Sequence, residues 1–294
     1  RITIMNIKYI NTSALFNGLD GTTINNSTRL CNKNGITYIE FTPFDKFDWV
    51  KLHFSTRLGG VSKGIYSSMN FSFDRGDSYD NVYKNYELFL DTMELKPENK
   101  QTHTTNVLVA DSSMAGMGLT KPRSYDNVDG LVTNEPGLCL VTYFADCVPV
   151  YFIDPVNKCI GAAHSGWRGT VADITHETVQ LMNRTYGSKP EDIHAFIGPS
   201  ICQDCYEVDE AVAEKFRSVY SQNEIGMILY HTAGDKYQLN LQAANYFNMI
   251  HAGIKPDNIG ISDICTSCNS DWLFSHRASH GKRGVLCGFM SICR

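Results

Sequence analysis

Apolar residues in the middle of the chain fall into short, dense runs separated by polar turns. Such runs cover residues 138–144, 148–153 and 159–163. Apolar runs of roughly four to eight residues bounded by turns are typical of strands that are buried on both faces. We therefore predict three consecutive buried strands, with Ala145-Asp146-Cys147 as the turn between the first two.

Helical periodicity appears in four other stretches, where apolar residues recur three or four positions apart. Asp80 precedes the first of these stretches and is predicted to be its N-cap. The four predicted helix faces carry Val82, Tyr86, Phe89 and Leu90; Val171, Ile174, Thr178 and Leu181; Val212, Phe216, Val219 and Tyr220; and Leu239, Ala243, Phe247 and Ile250.

Strands and helices alternate without a regular βαβ cadence, and no repeat or linker divides the chain. The first forty residues are polar and rich in Asn and Thr, with short apolar runs that predict peripheral edge strands. The pattern therefore predicts one α+β domain over residues 1–294, in which helices cover the sheets.

Composition narrows the class of protein. The 294 residues are 43% hydrophobic, which is sufficient for a full buried core. The net charge of −5, without a run of like charges, argues against a nucleic-acid-binding surface. No apolar stretch reaches the roughly 18 residues of a membrane helix, and no signal peptide pattern opens the chain. We therefore expect a cytoplasmic protein without a membrane or nucleic-acid partner, whose ten cysteines are reduced.

Three polar segments lie at the ends of predicted strands and carry His103, Cys147 and His164. Two imidazoles and a thiolate suit zinc, and three protein ligands leave a fourth position for water or substrate. The spacing alone is weak evidence, since no short metal motif links these residues. The alternative is that Cys147 is a core thiol and that each histidine forms local hydrogen bonds.

Two of the same residues also fit a catalytic site without a metal. A thiol whose pKa is lowered by a nearby imidazole is a nucleophile, so Cys147 and His164 also fit the dyad of a thiol hydrolase acting on amides or esters. The sequence does not separate this dyad from a zinc site.

Candidate anion ligands are Arg57, which precedes the Gly59-Gly60 pair, and Arg168, near a predicted helix N-terminus. A guanidinium forms bidentate hydrogen bonds with phosphate, and glycines let the backbone approach an anion closely. Either arginine also fits an ordinary surface position. Asp146 is a candidate proton shuttle or orienting group beside Cys147, or a carboxylate bonded to backbone amides in a tight turn.

Two Cys-x-x-Cys pairs, Cys202/Cys205 and Cys265/Cys268, are separated by about sixty residues. A zinc ribbon pairs such motifs at about 15–20 residues. We therefore interpret both pairs as packing residues. The alternatives are a structural zinc and, less favoured because neither pair has the expected strand-helix context, a thioredoxin-like redox motif.

Several segments together resemble the laccase-domain family, also called polyphenol-oxidase-like, whose members are purine nucleoside phosphorylases. The resemblance covers roughly residues 50–290. Its most specific motifs are Ala145-Asp146-Cys147-Val148-Pro149-Val150 and Ala163-His164-Ser165-Gly166-Trp167-Arg168-Gly169. Further matching segments are Thr56-Arg57-Leu58-Gly59-Gly60, Gln101-Thr102-His103, Asp129-Gly130-Leu131-Val132, Ile197-Gly198-Pro199, Cys205-Tyr206-Glu207-Val208 and Phe274-Ser275-His276-Arg277.

The resemblance implies a four-layered α/β/β/α domain and one zinc held by His103, Cys147 and His164. It also implies phosphorolysis of adenosine, inosine, guanosine and methylthioadenosine, with deamination of adenosine at the same site. The partners are then purine nucleosides and inorganic phosphate, for which Arg57 is the preferred ligand and Arg168 the second. We expect a monomer or a weak homodimer.

The family name also raises the question of copper. Multicopper oxidases build their trinuclear centre from His-x-His pairs, and no two of the nine histidines here are separated by one residue. Imidazole and thiolate are compatible with one adventitious copper. A four-copper laccase centre is excluded.

Overall fold

Two sheets packed face to face form the centre of the molecule, in a computed structural model that describes residues 7–10, 27–95, 106–122, 124 and 126–293. In chain order the strands are β1 Thr28–Lys33, β2 Ile36–Phe41, β3 Val50–Ser55, β4 Val107–Val109, β5 Gly130–Thr133, β6 Cys139–Phe144, β7 Val148–Asp154, β8 Cys159–Ser165, β9 His194–Ile197, β10 Glu207–Asp209, β11 Leu229–His231, β12 Lys236–Leu239, β13 Ile259–Ile261 and β14 Leu286–Ile292. The α-helices are α1 Tyr79–Met93, α2 Trp167–Val171, α3 Ile174–Tyr186, α4 Glu210–Arg217, α5 Gln222–Ile228 and α6 Leu241–His251.

The first central sheet has the order β1-β2-β3-β14-β6 and is antiparallel throughout. The second has the order β13-β9-β7-β8-β5-β4 and is mixed, because its two outer pairs are parallel. A small antiparallel sheet, β10-β12-β11, lies apart from both in the hydrogen-bond pattern.

Three apolar clusters define the layers. Phe54 and Phe144 of the first sheet share a core with Tyr151 of the second, so this core lies between the sheets. The outer face of the first sheet packs against α1 through residues such as Phe89 and Phe289. The outer face of the second sheet packs against α3 and α6. This α/β/β/α order confirms the predicted fold class.

The three apolar runs are strands, as predicted, but they belong to different sheets. β6 lies in the first sheet, whereas β7 and β8 lie in the second. Residues 145–147, which we call the crossing turn, therefore carry the chain from one sheet to the other. Among the helices of the described residues, none combines the length and the apolar character needed to cross a membrane.

The predicted capping role of Asp80 is wrong. The helix begins at Tyr79 with Ser78 at the N-cap, and Asp80 lies in its first turn. The preceding Asp77 fixes this start because its carboxylate accepts hydrogen bonds from the Ser78 amide (2.8 Å) and from Asn70 Nδ2 (2.9 Å). Asp80 still suits its place, since a carboxylate in the first turn interacts favourably with the helix dipole.

Close packing between the sheets generates a prediction about Gly288 of β14. A β-carbon there would collide with the hydroxyl of Tyr151 and lie 2.9 Å from its Cζ. We expect Gly288→Ala to lower the free energy of unfolding by about 1–3 kcal/mol through overpacking. Urea denaturation measures this loss. Adding Tyr151→Phe, which removes the colliding oxygen, should recover part of it, and full stability of Gly288→Ala would contradict the predicted contact.

Candidate active site

Asp146 fixes the conformation of the crossing turn. Its φ of +87° lies in the left-handed region, which is uncommon for a residue with a side chain. The buried carboxylate accepts hydrogen bonds from Thr266 Oγ1 (2.6 Å) and from the Arg277 amide (2.7 Å). The Asp146 carbonyl accepts a third from the Ile201 amide (3.0 Å). These contacts from three segments hold the turn and so determine where the next residue, Cys147, lies.

Cys147 and His164 lie together at one end of the second sheet. His164 is buried in β8, opposite Pro149 of β7 in the strand register. Gly166 lies against both groups, because a β-carbon there would be 3.3 Å from Cys147 Sγ and 3.5 Å from His164 Cε1. The glycine thus leaves space for a thiol and an imidazole that converge on one point.

Asp129 also lies near the imidazole, with Oδ1 at 3.8 Å from His164 Nδ1. Burial disfavours the imidazolium, but Cys147 and Asp129 outweigh it and raise the pKa of His164 to about 10. The surroundings of His164 therefore stabilise positive charge beside the sulfur. A thiolate and an imidazole are ligands that zinc prefers, and a carboxylate at the second ring nitrogen is the usual orienting partner.

The structure thus brings together two of the three predicted zinc ligands, Cys147 and His164. The third, His103, lies outside the described residues. A zinc site at this place therefore stays a prediction.

Three arginines and His276 lie around the crossing turn; we call the arginines, Arg75, Arg277 and Arg283, the cationic group. His276 and Arg277 belong to a family-matching segment of the sequence, whereas Arg75 and Arg283 were not among the predicted site residues. Burial, followed by Arg75, lowers the pKa of Arg283 to about 10, while Asp146 and Cys147 oppose that shift. Burial and Arg283 likewise lower the pKa of His276. These electrostatic effects show that Arg283 and His276 lie close to each other and to Asp146 in the crossing turn.

Arg283 carries an open donor within this group. Its side chain is buried, Nη1 donates to the Gly284 carbonyl (3.1 Å) and Nη2 lies 3.5 Å from His276 Nδ1. Its buried Nε has no hydrogen-bond partner in the part of the chain that is described. A buried donor on a charged group is costly when unsatisfied, so the position suits an anion. The sequence signal was the concentration of basic residues between His276 and Arg283, of which only His276 and Arg277 lie in a family-matching segment.

The two arginines predicted to bind an anion differ in their environment. Arg57 donates from Nε to the Ser67 carbonyl (2.7 Å) and from Nη1 to the Ser270 carbonyl (3.0 Å). Its guanidinium also lies 4.6 Å from the centre of the Phe274 ring, so much of it is engaged within the protein. Arg168 is exposed, and its guanidinium stacks at 4.3 Å over the neighbouring Trp167 ring.

Tyr206 provides an aromatic surface beside the same groups. Burial first, and then Cys147, raise the pKa of this phenol to about 12. The Arg277 guanidinium lies 5.1 Å from the centre of its ring. The crossing turn is therefore bordered by an aromatic ring as well as by cations.

The two Cys-x-x-Cys pairs pack together with Ile10 and Ile201, which agrees with the packing interpretation, but they form one group rather than two separate ones. The Sγ atoms of Cys202, Cys205, Cys265 and Cys268, which we call the cysteine cluster, all lie within 4.8 Å of one another. Such a group of sulfur atoms could hold a metal such as zinc. The sequence separation was misleading because it does not report which loops leave neighbouring strands.

Comparison with known proteins places this fold and site in a family. A family model described as multi-copper polyphenol oxidoreductase laccase matches residues 51–293. The chain is 36% identical over 246 residues to a purine nucleoside phosphorylase of Bacteroides thetaiotaomicron, covering 81% of this chain and 90% of that protein. It is 35% identical over 180 residues to adenosine deaminase RL5 from an unknown prokaryotic organism, covering 60% and 68% respectively.

A solved structure agrees with these similarities. The chain matches a hypothetical protein YfiH of Bacillus licheniformis with a TM-score of 0.83 and 33% identity, over 91% of this chain and 100% of that one. The resemblance seen in the sequence motifs is confirmed, and the chain belongs to the multi-copper polyphenol oxidoreductase laccase family.

Proposed function

We propose that this chain is a zinc-dependent purine nucleoside phosphorylase that also deaminates adenosine. The observation that carries the proposal is the convergence of Cys147 and His164 beside the cationic group, which supports a metal next to an anion subsite. Relatives named purine nucleoside phosphorylase and adenosine deaminase support the same chemistry. The proposed substrates are adenosine, inosine, guanosine and methylthioadenosine, with inorganic phosphate, in a cytoplasmic monomer or weak homodimer.

In this proposal zinc is held by His103, Cys147 and His164. When bound, it supplies Lewis acidity at a fourth position that water or substrate can take. Asp129 orients the His164 ring from the Nδ1 side. Copper fits the same donors but not a laccase centre, for the reason given by the histidine spacing.

Phosphorolysis needs phosphate placed under the ribose while positive charge develops on the sugar. We propose Arg283 as the first phosphate ligand, because its buried Nε points to no protein acceptor in the described residues. Arg57 and Arg168 are the further candidates. Arg57 would contribute through the part of its guanidinium that is not bonded to the Ser67 and Ser270 carbonyls.

For Asp146 we propose a positioning role. Each carboxylate oxygen already accepts a hydrogen bond, one from Thr266 and one from the Arg277 amide. These bonds engage both oxygens in orienting the crossing turn and hence Cys147.

The second candidate function is the metal-free thiol hydrolase. It is favoured by one observation, the raised pKa of His164, which stabilises the imidazolium next to the candidate nucleophile Cys147. Metal analysis separates the two functions, since the hydrolase needs no zinc.

Removing the proposed ligand Cys147 tests the shared metal. We expect Cys147→Ala to abolish both phosphorolysis and deamination and to lose one zinc per chain, because three ligands become two. Chromatography of adenosine incubated with and without phosphate, together with metal analysis, measures both. Retention of either activity in a folded Cys147→Ala protein would contradict a common zinc site.

Removing the proposed phosphate ligand should separate the two activities. Charged hydrogen bonds contribute about 1.5–3 kcal/mol, so Arg283→Met should raise the KM for phosphate about ten- to a hundredfold while deamination is largely kept. Arg57→Ala should lower the melting temperature of the protein, because it removes two hydrogen bonds from the guanidinium to backbone carbonyls. Arg217→Met, which alters partly exposed ion pairs with Glu210 and Glu214 and a stacking contact with Tyr237, is the matched control. Equal loss of both activities in Arg283→Met would mean that the residue supports the site rather than phosphate.

The raised pKa of His164 predicts a pH dependence of stability for the metal-free protein. A folded pKa of about 10, above the ordinary 6.5, means that the stabilisation is complete below about pH 6.5 and is lost as pH rises through about 10. We therefore expect the free energy of unfolding to fall over this range in chelator-treated protein. Urea titrations at several pH values measure the slope, and His164→Gln should flatten it. An unchanged slope in that variant would show that His164 is not the group responsible.

A further inference from the structure

We propose that the cysteine cluster is a structural zinc site, separate from the proposed catalytic metal. The sheet topology explains why its two halves meet. β9 and β13 are parallel neighbours, with Ile197 paired to Ile261, so the loops that follow them leave the sheet at the same end. Cys202 and Cys205 lie on the first loop, and Cys265 and Cys268 on the second.

The spacing of the sulfur atoms suits a tetrahedral ion. Zinc bound at about 2.3 Å to four sulfurs places them about 3.8 Å apart. Here Cys205 Sγ and Cys268 Sγ are 3.5 Å apart, and all four sulfurs lie within 4.8 Å of one another. The four thiols are free of disulfide bonds, so each is available as a ligand.

Backbone amides are directed at one of the sulfurs. Cys265 Sγ accepts hydrogen bonds from the Cys202 amide (3.2 Å) and the Cys268 amide (3.4 Å). These donors stabilise negative charge on sulfur, which zinc ligation requires. Arg277 adds a cation, because its Nη1 donates to the Cys205 carbonyl (3.4 Å). It therefore partly offsets the net negative charge of four thiolates around one divalent ion.

The site is closed, which points to a structural rather than a catalytic ion. Four protein sulfurs fill a tetrahedral shell and leave no position for water or substrate. Ile10, from the N-terminal segment, and Ile201 pack against the cysteines. The Lys8 amide and carbonyl pair with the side chain of Asn269, immediately after Cys268.

Zinc at this place would fix the groups that hold the crossing turn. Thr266, which donates to the Asp146 carboxylate, directly follows Cys265. Ile201, whose amide binds the Asp146 carbonyl, directly precedes Cys202. The ion would therefore join the two loops from which Asp146 is held, and it is a positioning element rather than part of the reaction.

Metal counting in paired variants tests the proposal independently of the proposed function. We expect about two zinc ions per wild-type chain, and about one in both Cys147→Ala and the double variant Cys205→Ser/Cys268→Ser. Cys31→Ser/Cys293→Ser removes two partly buried cysteines outside the cluster and should keep the wild-type count. X-ray absorption of Cys147→Ala should report four sulfur neighbours at about 2.3 Å, since only the cluster ion remains.

The outcomes separate the two sites. Zinc-free Cys147→Ala protein, or full zinc content in Cys205→Ser/Cys268→Ser, would overturn the cluster site. Iron in the purified protein, or four cysteines resistant to alkylation until reduced, would overturn it in favour of an iron centre or of disulfides. One zinc that is lost only from the double variant would keep the cluster site and refute the catalytic one. If the double variant does not fold, absorption spectra of cobalt-substituted Cys147→Ala decide, because an all-sulfur tetrahedral site supports the proposal and any other ligand set contradicts it.

Discussion

The buried carboxylate of Asp146 is the interaction on which the candidate site depends. It lies in a left-handed conformation where the chain crosses between the sheets, and burial of a charge there is costly unless it is hydrogen-bonded. Thr266 and the Arg277 amide meet that requirement, and each comes from a segment remote in the sequence. Charge-assisted hydrogen bonds of this kind are stronger than neutral ones, so they offset part of the cost of the backbone conformation. These hydrogen bonds of Asp146 therefore determine the position of the next residue, Cys147.

Packing of the two sheets imposes a second constraint, because it limits the space available to side chains at the closest contacts. Gly288 lets the Tyr151 side chain of the second sheet lie against β14 of the first. Gly166 similarly leaves space beside Cys147 and His164. Both glycines lie at close contacts that a larger residue would crowd, so their role is in packing rather than in hydrogen bonding at the site. The close approach of the sheets brings the end of β6 to the start of β7 with only three residues between them.

Charge is distributed in a way that agrees with the proposed chemistry. We assign a bound cation to the compact group of Cys147, His164 and Asp129, and an anion to Arg283, whose buried Nε has no partner among the described residues. A divalent metal and a phosphate satisfy both assignments within one site. The cysteine cluster lies on the loops that hold Asp146, so the proposed structural metal would be linked to the site geometry through hydrogen bonds rather than through a shared ligand.

The sequence by itself determined the three buried strands, the presence of helices in the four periodic stretches and the family, because burial on both faces produces dense apolar runs and the site motifs are local. The predicted faces ran past the helix ends, since Leu239 lies in β12 and Val219 and Tyr220 follow the end of α4 at Arg217. The sequence also identified Cys147 and His164 as a pair, since each lies in such a motif at the end of a strand. Only the tertiary structure decided that Cys202/Cys205 and Cys265/Cys268 converge, and that Arg283 is buried with an open donor beside Asp146. Those contacts depend on the parallel pairing of β9 with β13 and on the crossing between sheets. Strand pairing joins residues far apart in the chain, and local periodicity carries no information about which strands become neighbours.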